Sequence, residues 1–189
     1  MSRFWLLTST FYGNWLPGDS RGFVARVRDA RPEEPARDSR HMHDTPGTPY
    51  DRDFVGLNRH AQQQLKAEPV CLDAEQAKVL ITQFLETATI RGWKLWAVAI
   101  MVNHVHLVVE VEGDPDPTKV LGDFKAYGSR ALSQRWGKPA SGTWWTSSGS
   151  KRKLPTGNAV QSAVEYVRKQ PDALLVWVAE QSPQGEDSN

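Results

Sequence analysis

Residues 101–113, MVNHVHLVVEVEG, alternate apolar and other side chains with a period of two. Successive side chains on a strand point to opposite faces of a sheet. Val105, Leu107, Val109 and Val111 therefore share one face, apolar enough to lie beneath helices, while His104, His106, Val108 and Glu110 share the other. The strand rise sets the two histidine Cα atoms about 6–7 Å apart, close enough for both imidazoles to reach one divalent ion. Imidazole suits Zn, Mn, Fe or Ni, and a mixed site with phosphate oxygens also admits Mg or Mn. An isolated H-x-H is equally compatible with two solvated side chains, so partners elsewhere must decide. A second pair, His41 and His43 in RHMHDTP, has no periodic strand to fix its geometry and reads as solvated loop.

The rest of the chain predicts the setting of this strand. FWLLTSTF (4–11) is a first strand, running into the turn-rich YGNWLPGDSRGFV. From Arg26 to about Pro69 the chain is polar and proline-rich, an excursion and not a second domain. Asp73, with Gln76 three residues on, has capping-box spacing, and Ala77, Leu80, Ile81, Phe84, Leu85 and Ala88 then recur at helical spacing up to Gly92. WKLWAVAIM and HVHLVVEVE form a hairpin with Asn103 in its turn. A helix is expected from about Thr118 to Trp136, a strand in GTWWTSSGSKRKL, and a closing helix in NAVQSAVEYVRKQ capped by Asn158. The order matches an α+β, ferredoxin-like βαββαβ antiparallel sheet with helices on one face. A long insertion (26–69) follows the first strand and an extra C-terminal helix is appended. Residues 1–180 form one domain, 181–189 a polar tail, and the second sheet face is expected to be open.

Composition excludes little: 189 residues, 39% hydrophobic, formal net charge +1. Cys71 is the sole cysteine, which rules out an intrachain disulfide or a cysteine zinc site and favours a reducing, cytoplasmic setting. No run is long enough to span a membrane and no secretory leader is evident. Charge distribution is more informative. Between residues 119 and 153 stand Lys119, Lys125, Arg130, Arg135, Lys138, Lys151, Arg152 and Lys153 against the single acid Asp123, with Trp144 and Trp145 between the two basic clusters. Cations that neutralise phosphates and aromatic rings that stack unpaired bases make a nucleic-acid-binding face. At least one of the two tryptophans is expected in the core. On the 118–136 helix, Leu121, Phe124, Gly128, Ala131 and Leu132 mark the core stripe, and Tyr127 lies on its flank with Asp123, Arg130 and Gln134. A phenol there reads either as boundary packing or as a nucleophile toward a metal-polarised phosphodiester.

MVNHVHLVV followed by FKAYGSRAL resembles the single-tyrosine HUH transposases, especially their REP-associated tyrosine transposase relatives. The likeness extends over about residues 3–12 and 72–170. It implies His104 and His106 as ligands of Mg²⁺ or Mn²⁺, and Tyr127 as the nucleophile that nicks single-stranded, hairpin-bearing DNA through a 5′-phosphotyrosine link and rejoins it to a 3′-hydroxyl. It also implies a polar Gln, Asn or His about one turn after the tyrosine as third ligand, where Ala131 stands. Gln134, Asp123 and Glu110 are the remaining candidates for that ligand. DNA contacts are expected from Lys119, Lys125, Arg130, Trp144, Trp145, Lys151, Arg152 and Lys153. The assembly is a monomer or homodimer, with no membrane partner. The alternatives are a non-catalytic ferredoxin-like nucleic-acid-binding protein, whose binding would not depend on metal, and a phosphoesterase that uses water.

Overall fold

The computed structural model describes residues 2–19 and 55–180. His41, His43, most of the expected insertion and the 181–189 tail lie outside the described residues. The chain divides into two compact units, residues 15–65 and residues 1–14 with 66–189. Within the first, α1 (Val55–Gln63) is a helix inside the segment expected to be loop.

The second unit holds β1 (Ser2–Thr10), α2 (Ala74–Arg91), β2 (Lys94–Ile100), β3 (His104–Glu112), α3 (Pro117–Trp136), β4 (Ser150–Leu154), α4 (Gly157–Arg168) and β5 (Leu175–Val178). The strands form one sheet in the order β4-β1-β3-β2-β5, every neighbouring pair antiparallel. The α+β class is as expected; β5 is an additional strand. Of GTWWTSSGSKRKL only Ser150–Leu154 is strand, preceded by an isolated bridge between Phe11 and Trp145.

Local chemistry sets the element ends. Asp73 accepts from Gln76 N while the Gln76 side chain accepts from Asp73 N, and Gly92 closes α2 in the left-handed region at φ 66°. Thr156, not Asn158, caps α4 by accepting from Ala159 N.

The apolar face of β3 is covered as the alternation predicts. Val105, Leu107, Val109 and Val111 share one core with Leu80 and Phe84 of α2 and Leu121, Phe124 and Leu132 of α3. Gly128 lets α2 and α3 close, since a Cβ there would lie 2.7 Å from Leu80 Cδ1.

The opposite face is not open. Trp96, Ala97, Ala99, Val108 and Leu154 form a second core with Val160, Ala163 and Val167 of α4. Topology requires this. β4 and β5 are opposite edges of the sheet, so the helix that joins them must cross a whole face, and α2 and α3 already occupy the other. Twelve residues of helix span about 18 Å, and four inter-strand gaps about 19 Å.

Candidate active site

His106 stands at the centre of this second face. In the register it lies opposite Thr8 on β1 and Ala99 on β2, while Thr8 in turn faces Ser150 on β4. Its side chain is 4% exposed. Burial, and secondarily the neighbouring His104, push its pKa down to about 3, so the ring is neutral and able to ligate a metal at physiological pH. Thr8 Oγ1 lies 2.7 Å from His106 Nδ1. His104, one level toward the end of the strand, has its ring centroid 4.9 Å from that of His106, with Asn103 Oδ1 2.6 Å from its Nδ1. Each Nδ1 thus has an oxygen partner. Metal-bound histidines usually carry such a contact on the non-ligating nitrogen.

The aromatic partner comes from α4. Tyr166 is half exposed, its hydroxyl 3.5 Å from His106 Nε2 and its ring centroid 5.3 Å from the imidazole. Val160, Ala163 and Val167 seat α4 on the sheet, which turns Tyr166 to the side where the histidines stand. Gln170, one turn beyond, donates from Nε2 to Tyr166 O at 3.2 Å.

Tyr127 is not brought to the histidines. It is carried by α3, whose Phe124 and Gly128 pack with α2 on the other side of the sheet. Its hydroxyl accepts from Arg91 at 3.5 Å, and Arg130 lies over its ring at 4.9 Å. The nucleophile expected at Tyr127 is thus held apart from the imidazoles, because a full layer of sheet separates its helix from them. The same geometry removes two of the third-ligand candidates. Asp123 pairs with Arg91 at 3.0 Å, and Gln134 is exposed on the same helix. Glu110 is on the histidine face but accepts from Trp96 Nε1 at 3.1 Å. Four residues of strand put it about 13 Å from His106, too far to share an ion. Among the described residues no three His, Cys, Asp or Glu side chains gather as a metal cluster. Two imidazoles with a carboxamide oxygen such as that of Gln170 would be a borderline N/N/O donor set, which fits Mn²⁺ and, with phosphate oxygens, Mg²⁺.

Tyr166 and Gln170 had a legible signal. Of the four tyrosines, 12, 50, 127 and 166, only Tyr166 is followed four residues later by Gln, Asn or His.

The expected DNA contacts separate. Trp144 and Trp145 are both core residues, 5% and 4% exposed. Trp145 stacks on Phe11 and Phe84 and donates from Nε1 to Lys125 O, and Trp144 donates to Ser133 Oγ. Neither presents a face to a base. Lys125 is half-buried, donating to Thr146 O at 2.5 Å and Ser148 O at 3.2 Å. Burial, and then Lys151, lower its pKa to about 8; it ties down the loop before β4. Lys119 and Arg130 are exposed on α3. On β4, Lys151 and Lys153 pair with Leu7 and Trp5 of the α2/α3 face, and Arg152 pairs with Leu6 of the histidine face.

The family described as Transposase IS200 like matches residues 56–170, more than half of the sequence. The chain belongs to that family of DNA transposases. No curated protein matches it. Among solved structures it is similar to a REP-associated tyrosine transposase bound to a REP hairpin, at 12% identity and TM-score 0.46, over 87% of this chain and 64% of that one. It is also similar to a candidate transposase from Deinococcus radiodurans R1, at 14% identity and TM-score 0.45, over 90% and 92%. The chain thus spans less than two thirds of the first of these. Among the described residues no helix is long and apolar enough to cross a membrane.

Proposed function

We propose that this chain nicks and rejoins single-stranded DNA, with Tyr166 as the nucleophile and His104, His106 and Gln170 as the holders of a Mg²⁺ or Mn²⁺ ion. The observation that carries the reading is the Tyr166 hydroxyl, 3.5 Å from the buried His106 ring, near the end of α4 with Gln170 two residues beyond the helix. When bound, the ion supplies Lewis-acid polarisation of the scissile phosphodiester. Tyr166 Oη attacks phosphorus as the P–O3′ bond breaks, leaving a 5′-phosphotyrosine and a free 3′-hydroxyl. The half-exposed phenol passes its proton to water, and the departing O3′ takes one up. Attack by a 3′-hydroxyl on the phosphotyrosine reverses the step, so the bond energy is retained in the tyrosyl ester. Arg152, on the histidine face at the edge of the sheet, is suited to hold a neighbouring phosphate.

The test is incubation of the full chain with labelled hairpin-bearing single strands from beside its own gene, with and without Mn²⁺, read as a denaturation-resistant adduct. Tyr166→Phe abolishes the adduct and Tyr127→Phe retains it. An adduct that survives Tyr166→Phe overturns the assignment. Metal-independent binding with no adduct under any condition favours a non-catalytic DNA-binding protein.

A further inference from the structure

We infer that Thr8 and Asn103 are positioning residues that hold both imidazoles as the Nδ1-protonated tautomer, directing both Nε2 atoms to one ion. The inference rests on the metal-site reading above. A neutral imidazole has one N–H and one lone pair, and a hydrogen bond at one nitrogen decides which is which. Asn103 Oδ1 can only accept, so its 2.6 Å contact requires the proton on His104 Nδ1. Thr8 Oγ1 and the Tyr166 hydroxyl on the far side of the ring can each donate or accept, and the tautomer with Nε2 bare is the one a metal-ligating His106 needs. In that tautomer Nδ1 donates to Thr8.

Both oxygens are fixed by backbone. Thr8 faces His106 in an unbroken antiparallel register from Ser2↔Glu112 to Thr10↔His104. The chain after α3 presses against it, since a Cβ on Gly149 would come 2.6 Å from Thr8 O. Asn103 is anchored by its own carbonyl, which accepts from Phe11 N at 2.9 Å. A strand and a turn distant in sequence thus supply one acceptor each to two rings on a third segment. Simple packing would be served as well by valine at position 8, a better strand former of the same shape.

The experiment measures Mn²⁺ affinity of the full chain by electron paramagnetic resonance of free Mn²⁺, alongside imidazole tautomers of the metal-free protein by long-range ¹H–¹⁵N correlation. Thr8→Val and Asn103→Leu each weaken Mn²⁺ binding about 10–100-fold, and Thr8→Val shifts the His106 ring toward its Nε2–H form. Thr8→Ser, which keeps the hydroxyl, restores both readouts. Thr8→Val with wild-type Mn²⁺ affinity and an unchanged tautomer overturns the inference. In that case a loss of binding in His104→Ala/His106→Ala leaves the metal-site reading standing. Wild-type Mn²⁺ affinity in the double histidine variant overturns both.

Discussion

Acidifying the metal-free protein should cost stability through His106 in particular. The ring is 4% exposed, its polar neighbours are Thr8, Tyr166 and His104, and its pKa falls from 6.5 to about 3 on folding. The unfolded chain binds the proton more tightly than the folded one. The stability contributed by keeping the ring neutral is therefore fully present above pH 6.5 and is lost as pH falls from 6.5 toward 3. Between pH 7 and pH 5 the loss is about 2 kcal/mol, nearly all from protonation of the unfolded state; carried to pH 3 it is about 4 kcal/mol. Urea unfolding in EDTA at pH 7 and pH 5 measures it. Carboxylates also titrate toward the lower end, so His106→Gln is the reference: the wild type should lose about 2 kcal/mol more than this variant over that interval. Equal losses in the two proteins would refute the buried, neutral ring.

Trp145→Ala should lower stability by about 3–5 kcal/mol, seen in thermal unfolding, since its ring lies against Phe11 and Phe84; any loss of DNA binding should follow the unfolded fraction. Gly149→Ala should cost about 1–3 kcal/mol, because the new Cβ meets the backbone oxygen of Thr8 at 2.6 Å; a denaturant midpoint unchanged from wild type would contradict the close approach. Arg152→Ala should weaken single-strand binding and reduce the slope of log K against log salt by about one, whereas Lys153→Ala, on the other face of the edge strand, should leave the slope unchanged in the same titration.

What the sequence disclosed was periodicity, and periodicity is local. The alternation of 104–112 correctly assigns Val105, Leu107, Val109 and Val111 to the core beneath α2 and α3, and the Asp73–Gln76 spacing correctly starts α2. Three-dimensional neighbours on the far face are a different matter, because they depend on where each crossover lands. Tyr127 is close to the histidines along the chain, yet a helix that follows β3 and returns by a right-handed crossover joins α2 on the side away from them. Tyr166 is sixty residues beyond His106, but α4 must bridge the two edge strands, and only the histidine face remains for it. That requirement becomes visible only with β5, whose four-residue LVWV run is too short for periodicity to announce a fifth strand, although Pro171 and Asp172 mark the turn before it. Once β5 is in place as the far edge, α4 has one route, and its apolar stripe of Val160, Ala163 and Val167 leaves Tyr166 beside the imidazoles. The tryptophan pair fails for a related reason. Composition sees two aromatics between basic clusters, whereas the bridge of Trp145 to Phe11 turns that segment inward before β4 begins. Proximity along the chain to the histidines was therefore a poor guide to which tyrosine the fold sets beside them, Tyr166 and not Tyr127.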